Sequence, residues 1–170
     1  LAAATMALAC GIDPETIAAG LNHARPVPGR QIAHTLGNGA VLIDDSYNAN
    51  PGSVEAAIAA LAAGGGEGWL VLGDMAELGE GSEDLHAQVG ASARARKIAR
   101  LYTLGKLSRA SARAFGADAR HFDDREALIA TLRADLHDGV RVLVKGSRSS
   151  AMDQVVAALL GTAAEVASHA

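Results

Sequence analysis

Residues 40–74 read AVLIDDSYNANPGSVEAAIAALAAGGGEGWLVLGD. "AVLIDD" (40–45) is a short apolar run ending in two carboxylates. After a polar turn, Val54, Ile58 and Leu61 recur at helical spacing. The glycine run 64–68 ends that helix, and "WLVLG" (69–73) is an apolar strand ending in glycine. Strand, helix and strand in this order read as a βαβ unit, with two parallel strands in one sheet and the helix across a face.

The alternation continues in both directions. Downstream, Ser82 is placed to cap a helix carrying Leu85 and Val89 on one face. "ARLYTLG" (99–105) is a third core strand, "KLSRASARAFG" (106–116) a helix and "ARHF" (119–122) a weak strand. "DDREALIATLRADL" (123–136) is a capped amphipathic helix, "VRVLVKG" (140–146) a strong strand and "AMDQVVAALLG" (151–161) a final helix. Upstream, "RQIAHTL" (30–36) is strand-like and joins 40–45 through a hairpin turn at Gly37-Asn38-Gly39. The fold class is α/β, a Rossmann-like, mostly parallel sheet with helices on both faces and an N-terminal β-hairpin strand. Two short helices precede it. Residues 1–10 form the first, closed by Gly11. The second is capped by Asp13, has Pro14 at its first position and runs to about Asn22. "RPVPG" (25–29) then breaks the chain, because each proline restricts the residue before it. Residues 1–25 read as the tail of a preceding domain and 26–170 as the α/β domain.

Apolar residues make up 49% of the chain and aromatics 3%, so the core must be built from Ala, Val, Leu and Ile. A formal charge of −4 argues against nucleic acid or an anionic membrane as partner. The single cysteine, Cys10, allows no internal disulfide and fits a reducing, cytoplasmic setting; its apolar helical run predicts a buried, inert thiol. No stretch reaches the roughly 20 apolar residues of a membrane span, and no basic leader precedes "LAAATMALAC". The sequence opens at Leu1 inside an apparent helix, which predicts a piece of a longer protein.

Ligands of open α/β sheets bind beyond the carboxyl ends of the strands. Three strand ends carry unusual loops: "DDSYNANPGS" (44–53), "GDMAELGEGSED" (73–84) and "KGSRSS" (145–150). The last sets Lys145 and Arg148 around an expected helix start, with Ser147, Ser149 or Ser150 as caps, a setting suited to a carboxylate or phosphate. An ordinary capped helix with solvated charges is the equal alternative. The second loop is acidic. The helix dipole accounts for Glu83 and Asp84 but not for Asp74 and Glu77, which suit an ammonium group or a hydrated metal. In the first loop, turn chemistry accounts for Asn50 and Ser53, with Ser53 as a helix cap; it does not account for Asp44, Asp45 and Tyr47. Neither G-x-x-x-x-G-K-[ST] nor a G-x-G-x-x-G after a strand occurs. His23, His34, His86, His121 and His137 have no distinctive setting, although His86 follows the acidic loop on its helix.

"PVPGR" (26–30), "LIDDSYNANPGS" (42–53), "VLGDMAELGEGSEDLHAQVG" (71–90) and "VLVKGSRSSAMDQVV" (142–156) together resemble the C-terminal part of a Mur ligase, in the family's order and over essentially the whole chain. The resemblance implies an ATP-dependent amide-bond ligase of peptidoglycan synthesis that works through an acyl phosphate. This combination of loops implies D-alanyl-D-alanine as acceptor and UDP-MurNAc-tripeptide as donor. It makes residues 1–25 the tail of the central ATPase domain and 26–170 the C-terminal domain. The P-loop, the Mg2+ ligands and a carbamylated lysine would lie in the missing N-terminal and central domains, which leaves the piece by itself inactive. Position by position, the resemblance implies ATP contacts for Arg30 and Asp45, with Asn48, Asn50 and Pro51 as the turn beside the adenine. It implies acceptor contacts for Asp74, Lys145, Ser147 and Arg148. Tyr47 falls where family members vary and receives no role. The alternatives are a non-catalytic Rossmann-like module that binds a nucleotide or peptide, or a sister ligase with another amino-acid acceptor.

Overall fold

The structure, a computed structural model, describes residues 2–23 and 27–167, with side chains in the last helix described through Gly161. The expected domain boundary at 25/26 lies outside the described residues. Six strands form one sheet: β1 (Ile32–Thr35), β2 (Val41–Asp45), β3 (Glu67–Gly73), β4 (Arg100–Leu104), β5 (Ala119–Phe122) and β6 (Val140–Lys145). Their order is β1-β2-β6-β3-β4-β5; β1 runs antiparallel to β2 and all other neighbours are parallel. The fold class is as the sequence predicts. β1 starts two residues later than the apolar pattern, because Gln31 takes a φ of +52°, outside extended geometry.

Helices α3 (Pro51–Ala63), α4 (Ser82–Ala95) and α5 (Arg109–Phe115) follow β2, β3 and β4; α6 (Arg125–Asp135) and α7 (Asp153–Ala167) follow β5 and β6. Strand alternation divides the core between the two faces. Leu70, Leu72, Leu101 and Leu143 join Val54, Ile58 and Leu61 of α3, Val89 of α4 and Phe115 of α5. Trp69, Val71, Val142 and Val144 join Leu128 and Leu132 of α6 and Val155, Val156 and Leu159 of α7. Strands buried on both faces read as continuous apolar runs, which is why "WLVL" and "VRVLV" stand out in the sequence.

The α4–α5 contact is close enough to depend on one missing methyl group. A Cβ on Gly90 would overlap the backbone carbonyl of Ser111, whose own Oγ donates to the carbonyl of His86 at 2.6 Å. Alanine is the better helix former, by up to about 1 kcal/mol. Overlap with backbone cannot relax by a rotamer change, so Gly90→Ala is expected to cost about 1–3 kcal/mol net, read as a lower thermal midpoint.

Ahead of the sheet lie α1 (Ala2–Ala9) and α2 (Pro14–Asn22). Asp13 caps α2 through Thr16 N–H at 2.9 Å, with Pro14 at the first position, as predicted. Neither helix buries a residue, and Met6, Leu8, Ile12 and Leu21 are exposed. Cys10 is exposed too, contrary to the buried thiol expected from its apolar surroundings, because α1 buries none of its residues against the described chain. No helix among the described residues is long and apolar enough to cross a membrane.

Candidate functional site

The sheet order makes β2, β6 and β3 neighbours, so the three unusual loops leave adjacent carboxyl ends. Alternation along β2 sends its two final carboxylates to different duties. Asp44 is structural. One oxygen accepts from Gly29 N–H (3.2 Å) and the other from Ser46 N–H (3.1 Å) and Ser46 Oγ (2.6 Å), which ties "PVPGR" to the turn. Asp45 pairs in register with Lys145 of β6. Lys145 Nζ donates to Asp45 Oδ2 at 2.6 Å and to the Asn48 carbonyl at 3.0 Å. Side-chain exposure is 4% for the lysine and 11% for the aspartate, so this ion pair is nearly dry.

The turn itself closes on Asn50. Its side chain accepts from Ser53 N–H, and Ser53 Oγ accepts from Asn50 N–H, a reciprocal capping box with Pro51 at the first helical position. Asn50, not Ser53, is therefore the cap. At α4 the cap is Gly81 without a side-chain bond, and Ser82 is already helical. "KGSRSS" does not open an α-helix as expected. Arg148–Ser150 form a single 3-10 turn, Ala151 takes a φ of +49°, and α7 starts only at Asp153. Arg148 thus opens a short 3-10 turn rather than an α-helix.

The Asp74 carboxylate is bonded within the fold. Its Oδ1 accepts from Leu107 N–H (3.1 Å) and Ser108 N–H (2.8 Å), and Oδ2 accepts from Lys106 N–H (3.0 Å). Both oxygens are engaged in clasping the loop before α5. A Cβ on Gly105 (φ +116°) would lie 2.5 Å from that carboxylate, so glycine is required there. The Asp74 carbonyl accepts from Ser147 N–H (3.0 Å) and Ser147 Oγ (2.6 Å), which binds the second loop to the third. His86, buried in α4, holds the next residue: Met75 N–H donates to Nε2 (2.9 Å), while Nδ1 bonds the Ser82 carbonyl (2.7 Å). His86 is a loop anchor, a role that no local sequence signal announces.

Two hollows flank the "DDSYNANP" turn. One, of about 450 Å³, is lined by Arg30, Asp45, Tyr47, Asn48, Asn50 and Lys145 among others. The other, of about 640 Å³, is lined by Tyr47, Asn48, Asn50, Glu77, Ser147 and Arg148 among others. Both volumes suit small-molecule ligands. Four of the five residues expected to face ATP share the first hollow, and the fifth, Pro51, opens α3 next to Asn50. Of the four expected at the acceptor, Ser147 and Arg148 share the second, Lys145 faces the first, and Asp74 lines a third hollow beside α6. There Asp123 lies below the usual carboxylate pKa because Arg109 and His121 hydrogen-bond it, and Asp124 is lowered chiefly by the Ala127 N–H that it caps. No group of three or more metal-capable side chains occurs among the described residues.

Residues 29–148 match the Mur ligase, glutamate ligase domain family. A UDP-N-acetylmuramoyl-tripeptide–D-alanyl-D-alanine ligase of Escherichia coli is 46% identical over 161 residues, covering 94% of this chain and 35% of that protein. A crystal structure of MurF from Acinetobacter baumannii superposes with a TM-score of 0.81 at 29% identity, over 91% of this chain and 35% of that one. MurF from Thermotoga maritima, crystallised with ADP, superposes with a TM-score of 0.71 at 26% identity, over 81% and 31%. The chain spans about a third of the length of the curated relatives it matches. With the matched segment running from Gly29, ahead of β1, to Arg148, well over half of its length, this chain belongs to the Mur ligase family through its glutamate ligase domain.

Proposed function

We propose that the chain is the C-terminal part of a cytoplasmic, ATP-dependent ligase that joins D-alanyl-D-alanine to UDP-MurNAc-tripeptide in peptidoglycan precursor synthesis. On this reading residues 1–25 end the central ATPase domain and 26–170 form the C-terminal domain. The observation that carries it is the pair of hollows on either side of one turn, at adjacent strand ends, in a chain 46% identical to a ligase of that name.

The tripeptide carboxylate attacks the terminal phosphorus of ATP and releases ADP. The dipeptide amine then attacks the acyl carbon and expels phosphate. This chain supplies positioning. Arg30 holds phosphate charge, Asp45 accepts from ribose hydroxyls, and Arg148 with Ser147 holds the dipeptide carboxylate. Asp74 acts indirectly, by fixing the loop that carries Ser147. Fixing amine and acyl phosphate in one closed site supplies the proximity term. Mg2+ would neutralise phosphate charge, held by residues of the domains that this chain does not include.

The test is ATP- and D-Ala-D-Ala-dependent phosphate release by the full-length protein. Arg30→Ala is expected to raise the ATP KM at least tenfold with little change in dipeptide KM, and Arg148→Ala to do the reverse, since each removes a charge-assisted contact of about 1.5–3 kcal/mol. The isolated chain should release no phosphate. Turnover by the isolated chain, or a full-length protein that ignores D-Ala-D-Ala, would overturn the reading.

A further inference from the structure

Tyr47 lines both hollows. Its backbone N–H donates to the Gly29 carbonyl, while the residue is 42% exposed. Turn chemistry needs no ring at this position. Two guanidinium groups do meet it. The Arg30 guanidinium carbon lies 4.6 Å from the ring centroid and that of Arg148 lies 5.9 Å away. Both are within cation–π reach, about 6 Å. Arg30 lines only the first hollow and Arg148 only the second.

The backbone holds this arrangement on both sides. A Cβ on Gly29 (φ +75°) would lie 2.9 Å from the Tyr47 nitrogen, so the chain before Arg30 is pressed against the turn. Gln31 follows Arg30 at φ +52°, and Ala151 follows the 3-10 turn of Arg148 at φ +49°. Non-glycine residues adopt that region at a cost and keep it only where their surroundings fix it.

We infer that Tyr47 is a positioning residue that couples the two hollows. Two like charges share one ring while no anion is bound. An anion taken up by Arg30 neutralises one of them and leaves the ring to Arg148, which then holds its own anionic ligand in a fixed orientation. Coupling of this kind is reciprocal between the two ligands. The inference rests on the proposed function for the ligand classes: phosphate charge at Arg30 and the dipeptide carboxylate at Arg148.

The experiment is calorimetric titration of D-alanyl-D-alanine into the full-length protein, with and without a non-hydrolysable ATP analogue. The analogue is expected to tighten dipeptide binding in the wild type. Tyr47→Leu should reduce that gain about two- to fivefold, the scale of an exposed cation–π contact. Tyr47→Phe, which keeps the ring, should retain it. A purely structural role would weaken each ligand separately and leave the gain unchanged. An undiminished gain in Tyr47→Leu overturns the inference, and so does an equal loss in Tyr47→Phe, which would point to the hydroxyl. Arg30→Ala separates the two levels. If it weakens the analogue while Tyr47→Leu keeps the full gain, Tyr47 alone is misassigned. If it leaves analogue affinity unchanged, the nucleotide reading fails first.

Discussion

Lys145→Ala is expected to lower the unfolding free energy of this chain by about 3–5 kcal/mol in urea titration. The substitution leaves the Asp45 carboxylate nearly buried beside a void and removes the donor to the Asn48 carbonyl. A dry pair contributes little net stability relative to apolar residues of similar size, yet removing one partner is costly because the other charge stays behind. The matching expectation is that Asp45→Asn combined with Lys145→Met recovers more than half of the loss. Added salt should leave the single-variant penalty nearly unchanged, since screening acts weakly on a buried pair. A penalty below about 1 kcal/mol, the range of surface pairs, would show that water reaches the lysine. The pairing also bears on which substrate Lys145 serves in the proposed function. Lys145 lies against Asp45 in the Arg30 hollow, so under the proposed function its loss in the full-length protein should raise the ATP KM rather than the dipeptide KM.

That pair shows where sequence reading reaches and where it stops. β3 and β6 are legible because both of their faces are buried, which leaves an apolar run with flanking glycine. The three ligand-edge loops are legible because each follows such a run. What is not legible is which strands are neighbours. Asp45 and Lys145 are separated by 100 positions, and only the order β2-β6-β3 brings them into register. The same limit explains Asp74. Its three N–H partners lie 32 to 34 residues downstream, so a carboxylate that reads as spare in its own loop is fully engaged in the fold. Helix starts fail for a different reason. Ala151 is a strong helix former by propensity, and nothing local marks it for a left-handed φ that delays α7 to Asp153. Cys10 reads as buried because its neighbours are apolar, but apolar composition does not guarantee a covering surface.

Asp74→Ala is the second large effect, and it separates a ligand contact from a structural clasp. The carboxylate accepts from three successive backbone N–H groups, and two of them, Leu107 and Ser108, are partly buried on one oxygen. Hydrogen bonds to a charged acceptor contribute about 1.5–3 kcal/mol each, so loss of the two partly buried ones predicts about 3–6 kcal/mol. Asp74→Asn keeps one acceptor oxygen. With its amide oxygen in the Oδ1 position it still accepts from Leu107 and Ser108, now as neutral bonds, while its NH2 group replaces the acceptor of the exposed Lys106 N–H. It should therefore cost about 2–3 kcal/mol, less than Asp74→Ala because two acceptor contacts survive. If Asp74 instead met the dipeptide ammonium directly, neutralising it to Asn would impair catalysis as strongly as Ala. The expected pattern in the full-length protein is the opposite: Asn close to wild type in dipeptide KM, and Ala impaired in proportion to its lost stability. The route of that impairment is also defined. Ser147 is bonded to the Asp74 carbonyl through both N–H and Oγ, so a loop that frays at Asp74 displaces Ser147 and, with it, Arg148.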